Sequence, residues 1–234
     1  RIFPTEVKQM TKKQRAEKAV QLLKEKYPLA ECSLEYRHPY ELLISTRLSA
    51  QCTDARVNIV TKELFGKYDT LEKLANAEYE DILATVKPCG LGNTKAKDVI
   101  GIAKGLLERF DGQVPATMEE LTSLPGVGRK TANLILGDVF HLPAIVTDTH
   151  CIRICGRLGL TDSTNPAVVE KQLKAIVPPQ EGSDFCHRLV HFGREVCKAQ
   201  KPVCEECTLR EICKNPPKAK PGKTASAAKK ASSK

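Results

Sequence analysis

Apolar positions recur at helical spacing along most of the chain. Ala16, Val20 and Leu23 share one face of a segment that Thr11 can cap and that runs to about Tyr27. Pro39 opens a second segment reaching about Gln51. Thr53 precedes a third, with Val57, Val60 and Leu64 in register. Shorter helices fit 70–76 and 78–86. Asn93 is positioned to cap a long helix from Thr94 to Phe110, and Thr117 with Glu120 forms a capping-box pattern before Leu121. Helices fit 129–140 and 149–158. Asn165-Pro166 starts one reaching Val177, and the last runs from about Ser183 to Ala199. Only Ala144–Thr147 reads as extended. The pattern predicts an all-α fold of roughly ten helices, with a tail of Pro, Lys, Ala and Ser over 215–234 that has no apolar face and reads as disordered.

A chain of 234 residues buries about 70% of its unfolded surface and can hold a core without disulfides. No apolar run nears the roughly 20 residues of a membrane span. Trp is absent and aromatics make up 5%, which argues against a single-strand binder that works by base stacking. The net charge of +9 sits mostly in the tail: 215–234 carries six Lys and no acid, leaving +3 elsewhere. Nothing in Arg1–Met10 reads as a signal peptide. The absence of a starting Met is read as a missing or processed start. Cys32, Cys52, Cys89, Cys151, Cys155 and Cys186 lie singly in apolar or helical segments, as buried free thiols do.

Three constellations carry chemistry. Leu124-Pro-Gly-Val-Gly-Arg-Lys-Thr-Ala132 lies between two helical segments. Gly126 and Gly128 admit conformations closed to other residues, and the following helix start offers free N–H groups and a positive dipole end. Such a helix–hairpin–helix turn holds a DNA phosphate without reading sequence; a plain interhelical turn is the alternative. Lys130, in the first turn of that helix, is either a phosphate contact or a nucleophile. The positive helix end and partial burial would lower its pKa from about 10.4 and free the amine. Asp148-Thr149-His150 precedes another helix, so Asp148 is an N-cap, a carboxylate that stabilises positive charge on a sugar as an N-glycosidic bond breaks, or both. Cys197, Cys204, Cys207 and Cys213 fall within seventeen residues. That spacing suits a metal better than two disulfides, and zinc and an iron–sulfur cluster both accept four Cys. Arg194, Lys198, Lys201, Arg210 and Lys214 flank the thiols as candidate phosphate contacts.

With these residues in place, the chain resembles the endonuclease III family of helix–hairpin–helix DNA glycosylases. Ser49-Ala-Gln-Cys-Thr-Asp54, Leu124 to Asn133, Asp148-Thr-His150 and the four-cysteine spacing carry the resemblance, in the family's order and across residues 12–214. It implies two helical lobes flanking a DNA-binding cleft, and base-excision repair by a bifunctional N-glycosylase and AP lyase that removes oxidised pyrimidines from duplex DNA. Lys130 would attack the sugar and form an imine, with Asp148 assisting. Gln51 would fill the space of the flipped nucleotide, Leu91 would be the wedge, and Asp54 a polar pocket residue. Gly126, Val127, Gly128, Arg129, His150, Arg194 and Lys201 complete the expected DNA and pocket contacts. The four cysteines would hold a [4Fe–4S] cluster.

The implied partition is an N-terminal segment 1–31 packed on the cluster domain, a six-helix domain 32–143 with the hairpin, a cluster domain 144–214, and the tail. The implied partner is damaged double-stranded DNA, with no membrane and a monomeric state. In a prokaryote the place of action would be the cytoplasm, at the nucleoid. Three residues depart from the family pattern: Gly92 where Tyr often follows the wedge, Thr147 where Val is common, and Cys52 where Ala is usual. The rival readings are an adenine glycosylase of the same superfamily, which usually lacks the Lys, and a non-catalytic metal-bearing DNA-binding protein.

Overall fold

A computed structural model describes residues 10–215; the Lys-rich tail expected to be disordered lies outside them apart from Asn215. Among the described residues there are eleven α-helices and no strand. They are α1 (Lys12–Lys26), α2 (Pro39–Leu48), α3 (Asp54–Lys67), α4 (Leu71–Ala75), α5 (Tyr79–Val86), α6 (Gly92–Phe110), α7 (Met118–Thr122), α8 (Arg129–Asp138), α9 (Thr149–Leu158), α10 (Pro166–Lys174) and α11 (Gly182–Glu195). None of them is long and apolar enough to cross a membrane.

The expected caps explain most of the starts. Thr11 caps α1 in a reciprocal capping box with Gln14. Thr53, Thr117 and Asn165 cap α3, α7 and α10 with their side chains. Asn93 does not cap α6: the helix begins one residue earlier, at Gly92, and the Asn93 amide oxygen accepts from the Tyr79 hydroxyl at 3.1 Å. The second segment stops at Leu48 rather than Gln51, because Gln51 turns into the left-handed region at φ 58°.

α6 is the axis of one lobe. It buries Val99, Ile102, Ala103 and Leu106, with α2, α4 and α5 packed around it. In the second lobe α11 packs on α9, and α1 returns from the N-terminal end to lie on α11 and on the final 3₁₀ turn Arg210–Ile212. α8 belongs to both groups: it contacts α7 and α2 on one side and α11 on the other. Its exposed first turn therefore faces the seam between the lobes.

Candidate active site and nucleic-acid interface

The hairpin is built from the inside. Leu124 and Val127 are buried, and the Val127 N–H donates to the Leu124 carbonyl at 3.2 Å, closing the turn. Gly126 adopts φ +67° directly over the Arg47–Asp98 ion pair; a Cβ there would collide with both side chains. That pair is itself short, with the Arg47 Nε donating to Asp98 Oδ2 at 2.6 Å. Gly128 then caps α8 with no side chain across the helix end and no acid in the first turn, leaving the first N–H groups open to an anion. Two expectations change here. Val127 contributes neither side chain nor N–H to the surface, since both are spent inside the turn. Arg129 is already engaged, its fork gripping the buried Glu170 at 2.6 and 2.9 Å. Lys174 holds the same carboxylate at 2.8 Å.

A cavity of about 230 Å³ opens at the seam. Lys130, Asp148, His150, Asp54 and Arg194 line it together, from four different helices or helix starts. Lys130 is exposed at this cavity rather than partly buried as expected. Asp148 is the N-cap of α9: one carboxylate oxygen accepts from the Cys151 N–H at 2.7 Å, which fixes the side chain and leaves the second oxygen uncommitted. Burial holds His150 below its ordinary pKa. The Asp148 carboxylate pulls the other way, while Arg153, Arg194 and Lys130 add to the lowering. The His150 ring nitrogen Nδ1 lies 3.1 Å from Arg153 Nη2. Arg194 of α11 donates to Asp54 at 2.8 Å and so straps the second lobe to the start of α3.

Gln51 and Leu91 stand apart from the cavity, in two loops that precede α3 and α6. Both are exposed and both are left-handed, at φ 58° and 52°. Leu91 leaves 54% of its surface to solvent, directly after Gly90 at φ +73°. Gly92 fits its place tightly, since a Cβ there would meet Leu83 at 3.0 Å. Lys201, in the cysteine loop, is also exposed and left-handed at φ 51°. Three of the five non-glycine left-handed residues among those described are thus residues expected to meet DNA, in keeping with backbone strain gathering at functional positions.

The four cysteines close a loop after α11. Burial pushes the Cys207 thiol up, and Cys197, Cys213 and Cys204 raise it further, so the four sulfurs share one electrostatic neighbourhood. Arg157 points a guanidinium N–H at the Cys197 sulfur from 3.2 Å and binds the Lys198 and Ala199 carbonyls. Arg153 binds the Cys197 carbonyl. Among the described residues no three His, Cys, Asp or Glu gather round a single-ion position. The donor set fits a thiolate-held centre: burial raises the Cys207 and Cys213 thiols, which a bound cation would offset, and an N–H aimed at sulfur stabilises a thiolate.

Residues 44–179 match the family described as HhH-GPD superfamily base excision DNA repair protein. The chain is 45% identical over 207 residues to endonuclease III of Synechocystis sp., covering 88% of this chain and 94% of that one. The chain belongs to the endonuclease III family. Endonuclease III of Bacillus subtilis is 44% identical over 189 residues, covering 80% of this chain and 86% of that one. A solved structure of a trapped covalent endonuclease III–DNA intermediate, an estranged-adenine complex, superposes with a TM-score of 0.82 at 41% identity, covering 88% of this chain and 96% of that one.

Lys130, Asp148, His150, Asp54 and Arg194, all candidates from the sequence, meet at this one cavity. The residues behind them carry no such chemical signal. Arg153 and Arg157 tie the cysteine loop to α9, and their spacing of four residues was a visible sign that they share a face. Lys95 is the largest omission: a lysine four residues before Val99, on the apolar face of α6, is fully buried.

Proposed function

We propose that this member of the endonuclease III family excises oxidised pyrimidines from duplex DNA and then cleaves the strand as an AP lyase. The observation that carries the reading is that Lys130 and Asp148 line one small cavity beside an open helix start. At about 230 Å³ it lies below the roughly 300–1,000 Å³ of pockets for drug-sized ligands, which suits a single flipped base. The phosphate sits on the α8 N–H groups. The Lys130 amine attacks the sugar C1′ and the base departs with the glycosidic electron pair; loss of a proton from nitrogen leaves a glycosylamine, and breaking of the C1′–O4′ bond, with a proton delivered to O4′, opens the ring to the imine. Asp148, through its free oxygen, stabilises the positive charge that grows on the sugar. Abstraction of a proton from C2′ then expels the 3′ phosphate by β-elimination. Gln51 and Leu91 enter the duplex to fill the gap and wedge the stack, and Arg194 and Lys201 add phosphate contacts. Arg129 serves here as a tie to α10.

Cys197, Cys204, Cys207 and Cys213 would hold a [4Fe–4S] cluster, which supplies folding order to the loop that presents Lys201. The lobe bounds 32–143 and 144–214 belong to the same reading, as does a cytoplasmic, nucleoid-bound place of action in a bacterial cell and action as a monomer. The test is borohydride trapping on duplex DNA containing thymine glycol. A covalent complex that depends on Lys130 supports the reading; excision with no trapped complex would return the chain to the single-function glycosylases.

A further inference from the structure

Lys95 has no place in the chemistry above, yet its ammonium is among the most completely buried groups in the molecule, at 0% exposure. It makes three hydrogen bonds, all of 2.8 Å and all to backbone carbonyls. The acceptors are Leu48 and Ala50, in the turn that leads to Gln51, and Cys89, in the turn that leads to Leu91. All three ammonium donors are therefore used. The two turns are far apart in sequence, and both end in an exposed, left-handed residue.

We propose that Lys95 is the positioning residue that locks the Gln51 and Leu91 loops to each other, so that both side chains enter the duplex as one preset pair. Among the described residues no carboxylate pairs with it; burial lowers its pKa, with Cys89 and Cys52 opposing and Arg47 adding to the lowering. A charge is kept in the interior here by three carbonyl dipoles alone. An apolar side chain of similar volume would leave these three carbonyls without their donor, so the ammonium and the arrangement of the two turns depend on each other. Three bonds radiating from one nitrogen fix the relative position of three carbonyls. Two independent loops would each have to be ordered on contact with DNA, and each ordering step would weaken binding. The joined pair arrives already ordered. This rests on the reading of Gln51 and Leu91 as the residues that enter DNA.

The experiment compares Lys95→Met and Lys95→Gln with the parent on two substrates. One is duplex DNA with thymine glycol. The other is a single-stranded oligonucleotide with an abasic site, where there is no stack to wedge and no opposite base to contact. Loss of loop geometry should lower duplex excision about 10²-fold in Lys95→Met, and strand cleavage on the single strand by far less. Lys95→Gln, which keeps one amide donor group, should fall between the parent and Lys95→Met. Added to a Gln51→Ala, Leu91→Ala background, Lys95→Met should cost little more, because it acts through those two residues. Equal losses on both substrates would overturn the proposal, as would full additivity or undiminished duplex excision. Loss of cooperative folding in both variants would overturn it too, by making Lys95 a support of the fold. If Gln51→Ala, Leu91→Ala is as active on duplex DNA as the parent, the assignment of those residues fails instead, and a parent without excision would sink the functional reading itself.

Discussion

The hairpin ahead of α8 and the cysteine loop behind α11 are both short irregular stretches, and they are held by different forces. The hairpin buries Leu124 and Val127, closes on its own backbone hydrogen bond and seats Gly126 on the Arg47–Asp98 pair. Its order comes from packing. The cysteine loop runs for seventeen residues and buries only Leu209 and Ile212 among its apolar side chains. It has two single 3₁₀ turns and borrows its remaining order from Arg153 and Arg157. Four half-buried thiols stand where a core would otherwise be. One region can be expected to survive in the isolated polypeptide, while the other would depend on the metal centre proposed for it.

The contrast can be broken at several points, the largest effect first. Lys130→Gln should abolish the borohydride-trapped complex while DNA affinity changes by no more than about threefold, since one charge among many phosphate contacts is lost. A retained complex would move the nucleophile elsewhere. Asp148→Asn should slow base excision by about 10²–10⁴-fold and strand cleavage at a preformed abasic site much less, because only the first step builds charge on an intact glycosidic sugar. Equal losses would reduce Asp148 to its capping role. Cys204→Ser should remove the brown colour and the soluble yield together, with the melting transition of the remaining helices shifted less than the loss of loop order measured by proteolysis. Colourless, zinc-loaded and fully active protein would overturn the iron–sulfur assignment.

Gly126→Ala sharpens the other half of the comparison. A left-handed position above two charged side chains should cost about 1–3 kcal/mol in a denaturant melt and weaken DNA binding, with the cysteine loop untouched. A neutral result would mean that the hairpin has room the structure does not show. The smallest effect belongs to a pH titration of the Arg129–Glu170 tie. Burial pushes the Glu170 carboxyl up, but hydrogen bonds from Arg129 and Lys174 outweigh it and leave the pKa below the ordinary value. A carboxylate depressed in the folded state adds stability that is present above the unfolded pKa of about 4.3 and is lost as pH falls through the folded one. Arg129→Ala should therefore lower stability at neutral pH and flatten the acid limb of the stability curve.

The helices were legible because their apolar spacing and caps are local, and Lys130, Asp148 and the cysteines because their chemistry is dense in sequence. What was not legible depends on partners far along the chain. Arg129 reads as a phosphate ligand until Glu170, forty-one residues away, takes its guanidinium. Asn93 reads as a cap until Tyr79 takes its side chain. The neighbours of Lys130 in sequence predict partial burial, whereas its exposure is decided by how α8 meets the seam. Lys95 sat in plain view on an apolar face, but its role depends on two turns that only the folded chain brings together.

Asp148 begins α9 and faces the cavity with the same carboxylate. A drifting lineage cannot discard its chemistry quietly. Replacement by alanine would remove the charge and unseat the helix in one step, whereas serine or asparagine would keep the cap and lose the charge. The route by which this scaffold could lose base excision at Asp148 and still keep its fold is therefore narrow, and its first step is readable from a single codon.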